Sequence, residues 1–345
     1  MRIFAYLFPL KNKNYVNLWI IYGNSFPKNI LSNMIIDINK NPYIKTNSWQ
    51  AIVKGSRLET LPGAAVPVII AIALAAADMY RSGNISNFHI LPAILCFLFA
   101  EIMQINANLI NDYFDCKSGH DSKARMGNAR VATQGWMTMP FMRKVIIGTN
   151  ILAAIVGLPI MLFGDWEILL NVGAVCMIFS LLYTTLFSKR ALGDVLVLLF
   201  FGIVPVCTTY FVLTGSCNWY IFIASIACGF EIDSMLVINN FRDHDEDAAT
   251  GKHTISQLIG RKNMLRFYLA IGFICVALAY FCYYKYGYQM AFHLQIIYLL
   301  NHLNRYNDMR RIWQGPELNK QLAKNGMNIL LYGIIIAIGI LLTFI

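Results

Sequence analysis

The most informative shortage in this sequence is charge. Only 13% of its 345 residues are charged, while 57% are hydrophobic. A soluble domain usually carries nearly twice that charged fraction. Several uninterrupted apolar runs of about 20 residues are long enough to cross the roughly 30 Å hydrocarbon core of a bilayer. The sequence does not show the short alternating segments that are typical of a transmembrane barrel. It therefore predicts an all-α, polytopic membrane protein.

Paired cysteines are lacking as well. None of the eight Cys forms a CxxC pair, and most lie inside apolar runs. A thiol in such a run behaves as a small hydrophobic side chain, so no metal or disulfide role is assigned to any of them. No signal peptide is predicted either, because the apolar stretch IFAYLFPL is short and has no cleavage site after it.

The apolar runs predict a bundle of about nine transmembrane helices. Their approximate bounds are 61–80, 88–110, 143–163, 166–187, 191–213, 218–240, 264–284, 286–302 and 327–345. The eighth segment is short and polar. Residues 1–47 contain no run that could span a membrane and are interpreted as an N-terminal extension without an assigned role. Residues 48–345 are predicted to form a single transmembrane domain.

The basic residues are unevenly placed along this topology. With nine spans, the N-terminus and the loops after the even-numbered spans share one face. Of the 28 Lys and Arg, only Arg81 and Lys285 fall on the other face, which leaves 28 − 2 = 26 together. This asymmetry predicts a protein of the inner (cytoplasmic) cell membrane, with the N-terminus in the cytoplasm and the C-terminus on the opposite face. A basic face suits anionic lipids or substrates, and no nucleic-acid partner is predicted.

A first group of polar residues runs along the second span into the loop that follows it. These residues recur at steps of 3, 4, 3 and 4: Glu101, Gln104, Asn108, Asn111 and Asp115. That spacing places them on one helical face. A polar face of a membrane helix is expected to point into the bundle or a water-filled cavity, because contact with lipid is costly. Gly119 is expected to end the helix, so that Asp121 turns back toward the same cavity.

A second polar group, NNFRDHDEDAATGKHT, ends the sixth span at residues 239–254. Asn239, Asp243 and Asp247 are spaced four residues apart and are predicted to share a helical face. Asp245 and Glu246 point elsewhere and are expected to be solvated. A glycine, Gly251, again follows and is expected to end the helix.

Converging carboxylates repel one another unless a cation lies between them. Hard oxygen ligands of this kind suit Mg²⁺, which keeps several waters and accepts phosphate oxygens as further ligands. Basic side chains among the acids would bind a diphosphate beside its metal ion. They are Lys117, Lys123, Arg125, Arg130, Arg242 and Lys252. Either group alone is equally well explained as an ordinary charged loop, but two matched Asn-xxx-Asp faces favour a binding site.

These two motifs resemble the Asp-rich motifs of the UbiA superfamily of intramembrane aromatic prenyltransferases. NDYFD followed by SGHD, together with NNFRDHDEDAATGKHT, is similar to the 1,4-dihydroxy-2-naphthoate polyprenyltransferase branch. Residues 56–74, 127–135 and 183–212 fit the same branch, so the resemblance covers about residues 48–345. It implies a UbiA-type bundle of nine helices, with Mg²⁺ bound between helices 2 and 6.

The resemblance also implies roles for individual residues. The metal ligands would be Asn111, Asp115 and Asp121 of the first motif and Asn240, Asp243 and Asp247 of the second. Asp115 and Asp243 would be the catalytic residues among them. Contacts to the diphosphate or the pocket would come from Arg57, Arg130, Tyr183, Lys189, Arg242 and Lys252. The alternative interpretation is a set of snorkelling or positive-inside cations, with Tyr183 as an interfacial anchor.

Two places depart from the family pattern. The Arg-Pro-Lys that is usual at the first helix reads Arg-Leu-Glu here, with Leu58 and Glu59. The sixth span carries Glu231 and Asp233, and acids at that depth are expected to be protonated, partnered or at the edge of a cavity.

The implied reaction transfers a polyprenyl group from its diphosphate to 1,4-dihydroxy-2-naphthoate, giving demethylmenaquinone. The partners are then polyprenyl diphosphate, an aromatic acceptor and the lipid bilayer. Another acceptor, such as 4-hydroxybenzoate or homogentisate, is one alternative. A cation-coupled transporter is a second alternative. Transporters usually place their binding acids near the bilayer midplane within inverted repeats, whereas these acids cluster at one face.

Overall fold

The computed structural model describes residues 44–119, 127, 129–182, 191–251 and 253–344. Every element in these ranges is a helix, which confirms the predicted all-α class. The α-helices are α1 Trp49–Ser56, α2 Pro62–Arg81, α3 Ile90–Lys117, α4 Met139–Gly157, α5 Trp166–Leu182, α6 Gly193–Val197, α7 Val204–Thr214, α8 Trp219–Arg242, α9 His244–Thr250, α10 Ile255–Ile259, α11 Arg261–Ala279, α12 Gln289–His293, α13 Gln295–Ile312 and α14 Leu318–Leu341. Two π-helical segments, Leu198–Ile203 and Tyr280–Tyr284, follow α6 and α11.

Seven helical segments of the described ranges are long and apolar enough to cross a membrane, so the chain is a multi-pass membrane protein. They are Pro62–Arg81, Ile90–Lys117, Met139–Phe163, Gly193–Thr214, Trp219–Arg242, Arg261–Tyr284 and Leu318–Phe344. Each matches a predicted span. The fourth predicted span begins with the shorter apolar helix α5, and its end lies outside the described residues. The eighth falls on α12 and α13, which do not meet the same criterion. The total of nine spans stays a prediction.

Local sequence signals explain where several helices begin and end. Pro62 stands in the first turn of α2, where the missing backbone N–H costs no hydrogen bond. Gly119 and Gly251 follow α3 and α9 in the left-handed conformation, with φ of 70° at both positions. Both glycine helix ends that the sequence predicts are therefore confirmed.

The helix α8 forms the centre of the bundle, where it packs against α2, α11 and α14. Glycines let the preceding transmembrane segment approach it closely. A Cβ added to Gly202 would lie 2.6 Å from the Cα of Gly229 and 2.6 Å from the backbone oxygen of Ser225. Close approach at small residues is how membrane helices gain packing contacts without a hydrophobic driving force.

A carboxylate surrounded by three tyrosines joins helices at one end of the bundle. The hydroxyl of Tyr210 donates to Asp78 Oδ2 at 2.6 Å, and that of Tyr288 donates to Asp78 Oδ1 at 2.5 Å. The hydroxyl of Tyr220 donates to Oδ2 as well. These contacts connect α2, α7, the start of α8 and the residue that precedes α12.

Arg81 binds the same end of the bundle to the loop before α12. Its guanidinium donates to the backbone oxygens of Tyr286 at 2.7 Å and Gly287 at 2.9 Å, and it lies 4.0 Å from the centre of the Tyr288 ring. Because these residues directly follow Lys285, the loops that carry Arg81 and Lys285 meet at one end, in agreement with the shared face that the sequence predicts for both residues.

Replacing Asp78 with Leu is expected to lower the free energy of unfolding by about 3 kcal/mol or more, because three buried hydroxyls lose an acceptor. Thermal unfolding of the detergent-purified protein measures this effect. Glu317→Leu, at an exposed position, is the matched control and should leave the melting temperature nearly unchanged. Equal melting temperatures for the Asp78 variant and the parent would show that the tyrosine cluster adds no stability.

Candidate active site

The two polar motifs lie at the same end of the bundle. Tyr220, near the start of α8, bonds Asp78 near the end of α2. The helix α8 therefore starts at the same end of the molecule at which α2 ends. The helix α3, which follows α2 after a short connection, starts at this end as well. Because α3 and α8 both run away from that end, their C-terminal residues Lys117 and Arg242 lie at the opposite one. This opposite end is called the site end below.

At the site end of α3, a buried carboxylate joins two arginines. Asp112 is 1% exposed. Its Oδ1 accepts from Arg57 Nη2 and, at 2.9 Å, from Arg130 Nη1. Its Oδ2 accepts from the backbone N–H of Val131 at 3.3 Å. Asp112 thereby links α3 to the segment before α2 and to the loop after α3.

Arg130 extends this cluster to a second carboxylate. Its Nη2 lies 2.9 Å from Asp115 Oδ2. The Asp115 side chain is 24% exposed, whereas that of Arg130 is 7% exposed. The predicted metal ligand Asp115 is therefore accessible from the site end, and a buried guanidinium holds it in place.

Two residues of the predicted polar face of α3, Gln104 and Asn108, are buried and point into the protein. Gln104 Nε2 donates to Thr60 Oγ1 at 2.9 Å. Asn108 Nδ2 donates to Thr60 Oγ1 and to the backbone oxygen of Ser56, both at 2.9 Å. These contacts dock the residues between α1 and α2 on α3. They also hold Arg57 in the left-handed region, with φ of 49°, which costs a non-glycine residue about 1–2 kcal/mol.

At the site end of α8, the second motif does not continue as one straight helix. The helix α8 ends at Arg242, and Asp243 stands between α8 and α9 with φ −87° and ψ 7°. The residues implied by the resemblance, Asn240, Asp243 and Asp247, are all buried, whereas Asn239 is half-buried. Burial therefore groups Asn240, rather than Asn239, with the two aspartates.

Arg242 orients Asp243 directly. Its Nε lies 2.6 Å from Oδ1 of Asp243, and its Nη2 lies 2.8 Å from Oδ2, so the pair is bidentate. The remaining terminal nitrogen, Nη1, donates to Asn319 Oδ1 at 2.7 Å. Arg242 therefore fixes both carboxylate oxygens of Asp243 and connects them to the first turn of α14.

The other acids of the second motif are set apart. The Asp245 side chain is 62% exposed and pairs with Arg261 at 2.9 Å. This exposure confirms the expectation that Asp245 is solvated. Glu246 is half-buried. Six of the predicted site residues lie outside the described residues: Asp121, Lys123, Arg125, Tyr183, Lys189 and Lys252.

The donor chemistry at the site end fits Mg²⁺. Within the described ranges, no three His, Cys, Asp or Glu side chains converge as a preformed metal centre. Mg²⁺ does not require one, because it commonly uses one or two protein carboxylates together with waters and substrate phosphates. A carboxylate offers about four acceptor positions, so Asp115 and Asp243 can each bind an arginine and a cation together.

The two unexpected acids of the sixth span have different surroundings. Glu231 is fully buried, and the hydroxyl of Tyr298 donates to its Oε2. Of the three states expected for an acid at this depth, Glu231 therefore adopts the one with a hydrogen-bond partner. Asp233 is 2% exposed and lies close enough to Asp194 for the two charges to interact. One oxygen of each aspartate has no hydrogen-bond partner within the described residues.

Asp112, which joins the two arginines at the site end, is not among the site residues predicted from the sequence. The predicted face followed steps of three and four from Glu101 to Asp115 and therefore passed over Asp112. A second set of spacings was present, because Gln104, Asn108 and Asp112 recur at intervals of four. These are the residues that the structure shows bonded to the segment before α2.

Comparison with known proteins adds an independent line of evidence. The model of the UbiA prenyltransferase family matches residues 64–320. The chain is 30% identical, over 68% of its length and 76% of the relative's, to the 1,4-dihydroxy-2-naphthoate octaprenyltransferase of Escherichia coli K12. It is 26% identical to the protein of the same name from Bacillus subtilis, over 67% of this chain and 74% of that protein.

Solved structures share the fold. The apo structure of a UbiA homologue from Aeropyrum pernix K1 superposes with a TM-score of 0.61 at 16% identity, covering 83% of this chain and 98% of that one. A UbiA homologue from Archaeoglobus fulgidus bound to DMAPP and Mg²⁺ gives a TM-score of 0.54 at 13% identity, with 83% and 99% coverage. Sequence and fold thus agree, and the chain belongs to the UbiA prenyltransferase family.

Proposed function

We propose that this protein transfers a polyprenyl group from polyprenyl diphosphate to 1,4-dihydroxy-2-naphthoate. The observation that carries this proposal is the pair of acid-and-arginine clusters around Asp112 and Asp243 at one end of a membrane-spanning bundle. A charged end beside apolar helices suits a substrate with a diphosphate head and a long hydrocarbon tail. The naphthoate acceptor is supported by the names of the relatives from E. coli and B. subtilis.

Mg²⁺ is the proposed cofactor. UbiA homologues from A. fulgidus are described as bound to DMAPP or GPP together with Mg²⁺. When bound, the ion supplies charge neutralisation to the departing diphosphate. The residues proposed to hold it are Asn111, Asp115, Asp121, Asn240, Asp243 and Asp247.

The arginines of the site end are proposed to bind the phosphate oxygens that the metal leaves free. Arg130 pairs with Asp115, Arg57 pairs with Asp112 of the same cluster, and each guanidinium carries five N–H groups. Charge-assisted hydrogen bonds from them would strengthen as negative charge develops on the diphosphate. Arg242 holds both oxygens of Asp243 and thus fixes that carboxylate. Tyr183, Lys189 and Lys252 complete the proposed contacts.

Breaking the allylic C–O bond leaves the electron pair on the diphosphate and an allylic cation at C1 of the prenyl group. The ring carbon that carries the carboxylate then attacks C1. As the new C–C bond forms, the C–CO₂ bond breaks, and its electrons restore the aromatic ring. CO₂ and diphosphate leave, and the product is the reduced form of demethylmenaquinone.

The site end is proposed to face the cytoplasm of a cell that carries the protein in its inner membrane. All Lys and Arg other than Arg81 and Lys285 fall on this face in the predicted nine-span topology. Accessibility of Cys116, near the site end of α3, to a membrane-impermeant thiol reagent tests the orientation, with the other cysteines replaced by serine. In intact cells, Cys116 should not be labelled. It should be labelled once the membrane is disrupted so that the reagent reaches the cytoplasmic face.

The test of function combines purified protein, a polyprenyl diphosphate, 1,4-dihydroxy-2-naphthoate and Mg²⁺. Release of pyrophosphate and of CO₂ should accompany a prenylated naphthoquinol, and removing Mg²⁺ with EDTA should lower the rate by about 100-fold or more. Equimolar 4-hydroxybenzoate or homogentisate should not compete. Preferential prenylation of either would assign a different acceptor, and metal-independent turnover would contradict the proposed cofactor. Cation transport without pyrophosphate release would contradict the prenyltransferase proposal.

A further inference from the structure

We infer that Asp112 is a positioning residue, which holds the guanidinium groups of Arg57 and Arg130 as a pair for the diphosphate and does not itself ligate Mg²⁺. The inference rests on the proposed function in one respect: it assumes that the ligand carries a diphosphate. It concerns a residue that neither polar motif, as interpreted from the sequence, assigns to the site.

The acceptor capacity of Asp112 is largely used within the protein. A carboxylate has about four acceptor positions. Two on Oδ1 are occupied by Arg57 and Arg130, and one on Oδ2 is occupied by the backbone N–H of Val131. With 1% of its surface exposed, Asp112 has little room for a hydrated cation. Asp115, three residues on, is 24% exposed and is the better candidate for a metal ligand.

The two arginines come from separate parts of the chain. Arg57 precedes α2, and Arg130 follows α3. Two guanidinium groups repel each other unless a negative charge lies between them. Both bond the same oxygen of Asp112, so this carboxylate is what brings them together. With Asp115, which also pairs with Arg130, the four side chains are neutral overall, so a phosphate would be bound by the outward N–H donors of Arg57 rather than by an excess of positive charge.

The guanidinium of Arg57 retains donors for such a ligand. A guanidinium has five N–H groups in a fixed fork, and the described contacts of Arg57 with Asp112 use one nitrogen. The Arg57 side chain is 24% exposed, so its outer edge can reach a bound phosphate. Asp112 occupies the inner edge and determines the direction in which that outer edge points.

Asp112 is also the last of three docking residues on α3. Gln104 and Asn108 bond Thr60 and Ser56 on either side of Arg57. These amides fix the backbone of the segment, and Asp112 fixes the charged end of its arginine. The resulting geometry explains how Arg57 keeps its left-handed backbone, with φ of 49°, at the edge of the site.

The experiment measures ligand binding to Asp112→Asn by titration calorimetry in detergent, without turnover. Inorganic pyrophosphate at fixed Mg²⁺ should bind about tenfold or more weakly than to the parent, because the arginines lose their shared anchor. The Mn²⁺ affinity, read by electron paramagnetic resonance, should stay within about twofold. Asp115→Asn, by contrast, should weaken the Mn²⁺ affinity and, through the lost metal, also the binding of pyrophosphate at fixed Mg²⁺. Asp308→Asn removes a carboxylate that pairs with Arg305 and Arg311 elsewhere, and it should change neither affinity.

The outcomes separate the two roles of Asp112. A weakened Mn²⁺ affinity would make Asp112 a metal ligand and overturn the inference, and so would no change in either affinity. Combined with Arg130→Ala, Asp112→Asn should add little further loss, whereas additive losses would show that it does not act through that arginine. Should the Asn variant not fold, Asp112→Glu keeps the charge but displaces it, and the same pattern is expected with a smaller loss. If the parent binds pyrophosphate but prenylates no naphthoate, the proposed acceptor fails while the inference about Asp112 stands.

Discussion

Replacing Asp243 with Ala is expected to lower kcat/KM for prenyl transfer about 1,000-fold, which corresponds to roughly 4 kcal/mol of transition-state stabilisation. Asp243 is buried at the point where α8 ends, and both its oxygens are held by Arg242. Removal of the carboxylate takes away a proposed metal ligand and leaves the buried guanidinium of Arg242 with Asn319 but without the carboxylate that neutralises it. Both losses act on the charge that develops on the diphosphate.

Asp245→Ala is the matched control for this variant, because Asp245 belongs to the same motif. Its side chain is 62% exposed, so solvent screens its ion pair with the largely buried Arg261, and the pair contributes about 1 kcal/mol or less. Its kcat/KM should therefore stay within about threefold of the parent value. Initial rates of pyrophosphate release at several Mg²⁺ concentrations measure both variants. Equal rates for Asp243→Ala and the parent would remove Asp243 from the site.

Replacing Gly202 with Val is expected to lower the free energy of unfolding by about 3 kcal/mol or more, with a fall of ~10 °C in the melting temperature. The added Cβ would lie 2.6 Å from two atoms, the Cα of Gly229 and the backbone oxygen of Ser225. Both belong to the backbone of α8, so no side-chain rotation relieves the overlap. The helix α8 must move instead, and it carries Asp243 at its site end.

Gly173→Val provides the comparison, because a Cβ at Gly173 meets no atom within 4 Å. This variant should melt within about 2 °C of the parent, since surface substitutions usually change stability by under ~0.5 kcal/mol. Thermal unfolding in one detergent, followed by circular dichroism, compares the two. A Gly202 variant that melts with the parent would show that this helix contact is not tightly packed.

The sequence predicts most of the architecture because membrane-spanning helices depend on local features. Each needs a long apolar run, and a glycine such as Gly119 or Gly251 marks an end through its own backbone freedom. Asn240, Asp243 and Asp247 are all buried, but their assignment as metal ligands stays a prediction.

What the sequence could not reveal depends on contacts between distant segments. Nothing near Asp112 in the chain indicates that Arg57, 55 residues earlier, and Arg130 both donate to the same Asp112 oxygen. Helical periodicity also predicts one continuous helix through the second motif, whereas the structure interrupts it at Asp243. The ion pair between the adjacent residues Arg242 and Asp243 was likewise not predicted. Spacing identifies which residues share a face, but tertiary partners decide what each of them binds.

The docking of the segment before α2 has a consequence for minimal versions of this protein. A chain shortened to begin at Leu61 would keep all seven apolar segments long enough to cross a membrane, and it would keep the whole of residues 64–320. It would lack Arg57, Ser56 and Thr60, the residues to which α3 is bonded on that side. The shortened protein should insert into a membrane and bind a cation, but it should bind a diphosphate weakly. We therefore expect the catalytic unit to begin earlier in the chain than its first membrane span.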